Sequence, residues 1–153
     1  MTDFNILRKR YSEVLCGRGH SGKRTADCIL RSDERTEQRL AQLDTRIEKA
    51  ITSNEPGIVN ATLKGILDIS TSFSQNNSRF YHDENIKNKI FNALNALEKV
   101  YNDTIAPQGN WWYWEIGIPL SLNSIFTLMY DYADKSQLKR YMAAERHFND
   151  RIK

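Results

Sequence analysis

The chain has 153 residues, of which 40% are hydrophobic and 27% are charged, and its formal net charge is +3. This composition is that of an ordinary globular protein, and the length suits one domain, so we expect a single domain over residues 1–153. No apolar run approaches the roughly 20 residues that a membrane-spanning helix needs, so no membrane partner is expected. The first ten residues lack the apolar core of a signal peptide, and the chain as it stands would be cytoplasmic.

Metal ligation is not expected, because cysteine and histidine are few and scattered. Cys16 and Cys28 are the only cysteines, and His20, His82 and His147 form no ligand spacing. Two thiols are therefore favoured over a disulfide or a zinc site. We expect neither a metal nor another cofactor.

Apolar residues at three- and four-residue spacing predict helices from the beginning of the chain. The first helix follows Phe4 to Leu15 and is ended by Gly17 and Gly19. A second helix is predicted to begin at a cap formed by Ser32 or Asp33. Its apolar stripe consists of Leu40, Leu43, Ile47 and Ile51. The helix is then broken by Asn54, Pro56 and Gly57.

Two helices are predicted after that break. The third runs from about Asn60 to Phe73. The fourth follows Asp83 as its cap, and its apolar face consists of Ile86, Ile90, Phe91, Leu94, Leu97 and Val100. Residues 102–110 are predicted to form a loop, because Pro107 and Gly109 interrupt the pattern.

The last two helices complete an all-α pattern. The fifth is predicted to begin near Ile118 or Pro119, since proline suits the first turn of a helix. Asp134 or Ser136 caps the sixth, which reaches the charged residues at Lys153. No segment alternates apolar and polar residues as a half-buried strand does, so the predicted fold is all-α.

A glycine-rich segment follows the first helix but does not predict a nucleotide site. Gly17–Gly22 matches GxGxxG, and with Lys23 it also matches part of a phosphate-binding loop. The phosphate-binding loop needs Ser or Thr after the lysine, where this chain has Arg24, and both motifs need a preceding strand. The residues before Gly17 predict a helix, so nucleotide binding is not expected.

Basic residues are concentrated in the N-terminal third. They are Arg8, Lys9, Arg10, Arg18, Lys23, Arg24, Arg31, Arg35 and Arg39. A solvated helix face explains them, and a rim that faces a polyanion is the alternative. Nucleic acid is not expected, because the net charge is far from the strongly basic balance of nucleic-acid-binding proteins.

The segment from Asn110 to Pro119 contains all three tryptophans of the chain, beside Tyr113. Four adjacent aromatic residues cannot all face inward on a helix or a strand, so some rings are expected to be exposed or to line a cleft. Exposed rings next to polar groups suit a flat ligand such as a sugar ring or a base. The alternative is that the tryptophans at 111, 112 and 114 fill the core and only Tyr113 faces outward.

This segment resembles a motif of polysaccharide lyase family 8, which includes hyaluronate, chondroitin AC and xanthan lyases. Members carry Asn-Trp-Trp-x-x-Glu-Ile-Gly/Ala-x-Pro before a helix rich in leucine and methionine, in their N-terminal helical domain. Looser similarities lie elsewhere along the chain, at Phe4, Leu7, Arg8, Leu15, Cys16, Gly17, Thr62, Lys64, Leu67, Leu138, Tyr141, His147 and Phe148. Two residues depart from the family pattern: Tyr113 replaces an acidic or polar residue, and Leu120 stands where an arginine is often found.

The resemblance implies a partial α/α toroid of helical hairpins, in which the tandem tryptophans position sugar rings in a cleft. Trp111 and Trp112, with Asn110 beside them, are then the predicted substrate-binding residues, and Trp114 is expected to pack. Glu115 is expected to be structural, with its charge at the start of a helix. The implied partner is an acidic polysaccharide of the hyaluronan, chondroitin or xanthan type.

The resemblance also implies the reaction, which is β-elimination at a uronate. A base removes the proton beside the carboxylate, an asparagine neutralises that carboxylate, and an acid protonates the leaving oxygen. The family supplies these groups with Asn, His and Tyr from beyond the matched segment, so no catalytic residue is predicted here. Neither Tyr113 nor His147, in its structural His-Phe pair, is expected to act in catalysis.

We therefore expect part of a lyase, truncated before the catalytic segment and the β-sheet domains. It would contribute the aromatic patch, be inactive alone, and have the missing remainder of the lyase as a possible partner. The alternative is a non-enzymatic helical domain whose tryptophan-rich segment binds another protein.

Overall fold

The computed structural model describes residues 2–17 and 26–150, and most of these residues are helical. The regular α-helices are α1 Asp3–Leu15, α2 Ala26–Ser53, α3 Pro56–Ser74, α4 Glu84–Leu97, α5 Ile118–Met129 and α6 Lys135–Asn149. A π-helical turn, Tyr113–Gly117, leads directly into α5. Within the described ranges there is no strand, which confirms the all-α prediction.

The second helix begins earlier than predicted, at Ala26, so the expected cap at Ser32 or Asp33 is wrong. Asp33 lies inside α2 and is buried. Its carboxylate accepts hydrogen bonds from the Ser78 hydroxyl at 2.6 Å and from the Arg79 N–H at 2.9 Å. Asp33 therefore does not cap α2. It joins the interior of α2 to the loop after α3, because both of its hydrogen-bond donors lie in that loop.

The third helix also begins earlier than predicted, at Pro56 rather than near Asn60. Glu55 before it is extended, and Pro56 occupies the first turn, where a missing N–H costs no helical hydrogen bond. The break between α2 and α3 is thus only two residues long. Such a short connection requires the two helices to run antiparallel as neighbours.

The α2–α3 hairpin is held by polar contacts along its length as well as by its apolar seam. The hydroxyls of Thr36 and Ser72 share a hydrogen bond of 2.8 Å. The Arg39 Nε donates to Asp68 at 3.0 Å, and the Arg39 stem lies 3.5 Å from the position that a Cβ on Gly65 would take. The Arg39 side chain thus joins the two helices through its ion pair with Asp68 and its contact beside Gly65.

Helix α3 is the centre of the fold, since it packs against α2, α4, α5 and the π turn. The largest fully buried side chains of the core are Trp114, Tyr101, Tyr141, Phe73, Phe148, Leu63, Ile66, Ile69, Ile90, Leu94, Leu97 and Ile118. Of the residues predicted on the apolar face of the fourth helix, all are buried except Phe91, which is half-buried. The caps predicted for the fourth and sixth helices are confirmed at Asp83 and Asp134.

Helix α1 packs on α5 but buries none of its own residues. The Tyr11 hydroxyl lies 3.1 Å from the Ser124 hydroxyl, and Arg8 forms two hydrogen bonds with Asp131. The helix ends at Leu15, and Gly17 has a positive φ of 69°, as predicted for a glycine that terminates a helix. None of the helices in the described ranges is both long and apolar enough to cross a membrane.

Candidate functional site

The aromatic segment begins with a helical turn that Asn110 caps. Helix α5 begins at Ile118, as predicted, and a further helical turn at residues 111–112 precedes the π turn. The side-chain oxygen of Asn110 accepts from the Trp112 N–H at 3.0 Å, and its backbone carbonyl accepts from the Tyr113 N–H at 3.2 Å. This is the geometry of an asparagine N-cap, and it fixes the backbone from which the Trp111 and Trp112 side chains project.

Pro119 leaves one carbonyl of the π turn without a backbone donor. The Ile118 N–H donates to the Tyr113 carbonyl, five residues back, as a π turn requires. The Trp114 carbonyl would next need the N–H of residue 118 or 119, but that of Ile118 is used and proline has none. The Tyr101 hydroxyl donates to this carbonyl at 3.2 Å instead.

Tyr101 is suited to that role because it remains protonated. Burial, and secondarily the nearby carboxyl of Glu145, raise the pKa of the Tyr101 phenol far above its ordinary value. The hydroxyl therefore stays a donor at any physiological pH. The sequence alone did not single out Tyr101, since its partner is a carbonyl freed only by the π turn.

Trp114 is a core residue, and its predicted packing role is confirmed by 1% exposure. Its ring stacks on Tyr101 with centroids 6.2 Å apart and lies 4.9 Å from the Phe148 ring. Its indole N–H donates to the Gln108 carbonyl at 2.7 Å. The third tryptophan thus anchors the π turn to α6 and to the loop before the segment.

The Trp112 ring packs against the backbone at Gly117. A Cβ added to Gly117 would come within 2.6 Å of Cζ3 of the Trp112 ring, closer than real side chains approach. The ring also meets Tyr113 edge-on, with centroids 5.4 Å apart. Tyr113 in turn lies 3.4 Å from the position of a Cβ on Gly57, in the first turn of α3. Two glycines therefore leave the space that these rings occupy.

Trp111 and Trp112 are exposed, at 58% and 38%. The interpretation that all three tryptophans fill the core is therefore wrong for these two, because the cap and the π turn direct only Trp114 inward. We call Asn110, Trp111 and Trp112 the platform. Cavities of about 510 Å³ between α2 and α4, and of about 340 Å³ between α1, α5 and α6, are lined by other residues. The platform is an open surface.

The other residues considered from the sequence lie elsewhere. The half-buried His147 has its Nε2 3.0 Å from the Ile105 carbonyl, beside Phe148, which fits the structural role expected for the pair. Arg8 pairs with Asp131, and Arg35 and Arg39 both pair with Asp68. These ion pairs favour the interpretation of the basic region as a solvated helix face over that of a rim facing a polyanion. Arg18, Lys23, Arg24 and most of the glycine-rich motif lie outside the described residues.

A half-buried carboxyl, that of Glu145, lies near Tyr101. Burial raises the pKa of Glu145 to about 7, against a smaller opposing effect of the hydrogen bond from Asn123. Its other oxygen is buried with no hydrogen-bond partner. In the described ranges no group of three or more His, Cys, Asp or Glu side chains could hold a metal ion.

Comparison with known proteins identifies the fold. Residues 27–151 match the model of the polysaccharide lyase family 8 N-terminal alpha-helical domain. The chain belongs to this family. Its match covers most of the chain, from the first turn of α2 to the end of α6, and it includes the platform.

Relatives of the family are similar over nearly the whole chain. A xanthan lyase of Bacillus sp. (strain GL1) is 27% identical over 98% of this chain, and a hyaluronate lyase of Thermasporomyces composti is 24% identical over 97% of it. The chain spans only 17% and 20% of the length of these two relatives.

Solved structures confirm a partial α/α toroid. A Paenibacillus xanthan lyase superposes with a TM-score of 0.70 at 21% identity, covering 95% of this chain and 15% of its own. A Streptomyces coelicolor A3 chondroitin AC lyase, solved in complex with chondroitin sulphate, gives 0.75 at 20% identity, covering 97% and 21%. At such low identities the likeness shows the fold alone.

Proposed function

We propose that this family 8 domain binds acidic polysaccharide through the platform and contributes substrate binding, but not turnover, to β-elimination at a uronate. The observation that supports it best is the division among the tryptophans. Trp114 is buried and holds the π turn, while Trp111 and Trp112 are exposed beside the Asn110 amide. The names of the relatives point to xanthan, hyaluronan and chondroitin as the polymers to test first.

The chemistry of the platform suits a sugar ring. The apolar face of a pyranose packs on an indole face, while its hydroxyls stay available for hydrogen bonds at the edge. The Asn110 oxygen is used as the cap, and its amide nitrogen can donate to a sugar hydroxyl. The platform is fixed before the ligand arrives, since the cap, Gly117 and the Trp114 anchor hold its backbone, and such preorganisation lowers the entropic cost of binding.

We propose further that residues 1–153 act as one domain whose partner in catalysis is the rest of a lyase. The Asn, His and Tyr that the family uses for elimination have no counterpart among the residues of the motif. Tyr113 and His147 have side-chain types that the family uses in catalysis, but both have packing roles here. Tyr113 lies against Gly57, and His147 lies 3.0 Å from the Ile105 carbonyl. Incubation of the chain alone with hyaluronan, chondroitin or xanthan should therefore give no rise in ultraviolet absorbance from unsaturated uronate.

Quenching of tryptophan fluorescence tests the binding proposal. Oligosaccharides of hyaluronan, chondroitin and xanthan are titrated at low salt, where attraction of a polyanion is strongest. Trp111→Ala and Trp112→Ala should each weaken binding by about two- to tenfold, the effect of losing one ring contact. Tyr81→Ala is the matched control, because Tyr81 is similarly exposed, at 43%, and lies before α4.

A domain that binds another protein through its tryptophans remains the competing function. It predicts no quenching by any uronate polymer at low salt, and that result would overturn the proposal. Equal losses in Tyr81→Ala and in the tryptophan variants would also contradict it, because the binding would then be unspecific.

A further inference from the structure

Tyr113 lies between the platform and the first turn of α3. Its ring meets the Trp112 ring edge-on, with centroids 5.4 Å apart and an interplanar angle of 79°. The tip of the same side chain, at Cε2 and Cζ, lies 3.4 Å from the position that a Cβ on Gly57 would take. The side chain is half-buried. One ring therefore contacts the platform and is itself held by a neighbouring helix.

The Trp112 ring needs support of this kind. The Asn110 cap fixes the backbone at Trp112, but rotation about the two χ angles of the side chain is left to its neighbours. The backbone at Gly117 packs against one part of the ring, and 38% of the residue is still exposed. Edge-to-face contact favours one arrangement of two rings, so Tyr113 restricts the orientations that Trp112 can adopt.

Trp111 differs from Trp112 in this respect. It is 58% exposed, and it meets no other aromatic ring in the described part of the chain. A change at Tyr113 should therefore act on one of the two platform rings and not on the other. This asymmetry makes the role of Tyr113 measurable.

We propose that Tyr113 is a positioning residue, which holds the Trp112 ring in the orientation that receives the sugar. The inference rests on the proposed function, and it adds a residue that acts on the ligand through Trp112 and not by touching it. Because the tip of Tyr113 lies against Gly57, the orientation of Trp112 depends on the first turn of α3 as well as on the platform's own segment.

Double-mutant cycles test the inference. Calorimetry measures the affinity of the full chain for whichever oligosaccharide of hyaluronan, chondroitin or xanthan binds the wild type most tightly. Tyr113→Ala should weaken binding by about two- to tenfold, because the freed Trp112 side chain then has to be ordered on binding. In a Trp112→Ala background the same change should have less than about a twofold effect, whereas in a Trp111→Ala background the full loss should remain.

Two further variants separate positioning from other roles. Tyr113→Phe keeps the ring and removes only the hydroxyl, so it should retain the wild-type affinity. Tyr132→Ala is the matched control, because Tyr132 meets Phe73 edge-on with centroids 5.3 Å apart and is 41% exposed. It follows the C-terminal end of α5, whereas the platform precedes the N-terminal end. The control removes a ring pair of similar geometry and should leave the affinity unchanged.

The mobility of the Trp112 ring gives a readout that needs no ligand. Nitrogen-15 relaxation of the indole N–H groups reports motion on the picosecond to nanosecond timescale. The order of the Trp112 indole should fall in Tyr113→Ala and be retained in Tyr113→Phe. The Trp114 indole should keep its order in both variants, because its N–H is bound to the Gln108 carbonyl.

The outcomes distinguish this inference from the proposed function. An equal loss from Tyr113→Ala with and without Trp112 would overturn the positioning role and leave the platform standing. The same holds for unchanged order of the Trp112 indole in Tyr113→Ala. A loss in Tyr113→Phe as large as that in Tyr113→Ala would show that the hydroxyl touches the ligand directly, which also contradicts the inference. Failure of the wild-type chain to bind any of the oligosaccharides would overturn the proposed function and, with it, this role of Tyr113.

Discussion

Gly117→Ala should displace Trp112 while leaving the helix intact. Gly117 has helical dihedral angles, φ −64° and ψ −49°, so alanine is compatible with the backbone and favours it by about 1 kcal/mol. The added Cβ, however, would lie 2.6 Å from Cζ3 and 3.1 Å from two further carbons of the Trp112 ring. Ordinary contact begins near 3.4 Å, so the ring has to shift or rotate.

The cost to stability is limited by the exposure of the ring. Overpacking a rigid site costs about 1–3 kcal/mol, but Trp112 is 38% exposed and can swing towards solvent. Set against the gain in helix propensity, the free energy of unfolding should fall by no more than about 2 kcal/mol. The platform should lose affinity for uronate oligosaccharides by as much as Trp112→Ala does, because the indole no longer lies in its place.

The assay combines urea unfolding with tryptophan emission and quenching by the oligosaccharides. Gly65→Ala is the control, since its Cβ would meet only the Arg39 stem at 3.5 Å, an ordinary contact. That variant should be at least as stable as the wild-type chain and should bind normally. Unchanged emission and unchanged affinity in Gly117→Ala would refute the reasoning, because a ring packed on this glycine cannot stay in place beside a methyl group.

Three further predictions concern buried polar groups. Burial raises the folded-state pKa of Glu145 from 4.5 to about 7, so the folded chain holds this proton more tightly than the unfolded chain. The contribution of Glu145 to the free energy of unfolding should be fully present below pH about 4.5 and fall by about 1–3 kcal/mol as the pH rises through 7; Glu145→Gln should remove this fall from the difference between the two profiles, and a profile identical to the wild type would contradict the argument. Tyr101→Phe should cost about 1–3 kcal/mol in urea unfolding, because the buried Trp114 carbonyl loses its donor, whereas the exposed Tyr132→Phe should cost far less. Asp33→Ala should destabilise the chain by about 2–3 kcal/mol through the loss of the bonds from Ser78 and Arg79, and a cost no larger than that of the exposed Asp44→Ala would show that these bonds contribute little.

Local patterns predicted most of the helices but not all of their ends. Asp83 caps α4 as expected, because both the side chain and the N–H groups it accepts from lie within three residues. Asp33 has the same residue type at a similar position before an apolar stripe, yet its partners are more than 40 residues away. A pattern of spacing cannot distinguish these two cases, since it contains no information on distant contacts.

The platform was predictable in outline because its motif is dense in aromatic residues and resembles a family pattern. Which tryptophan turns inward was predicted from that resemblance and is confirmed for Trp114. The π turn and the helical turn at residues 111–112 were not predicted. Pro119 was predicted correctly in the first turn of α5, but the sequence did not show that the Tyr101 hydroxyl would donate to the Trp114 carbonyl.

The sequence by itself determined that this protein is helical, because hydrophobic spacing, caps and breaks act over a few residues. It also contained the platform residues Asn110, Trp111 and Trp112 and the family resemblance that first pointed to a sugar ligand. Only the tertiary structure decided how the rings are held in place, since that depends on the Tyr101 hydroxyl reaching the Trp114 carbonyl and on Gly117 leaving space for Trp112. These contacts join residues from separate elements, and their free energy exists only when the helices have packed.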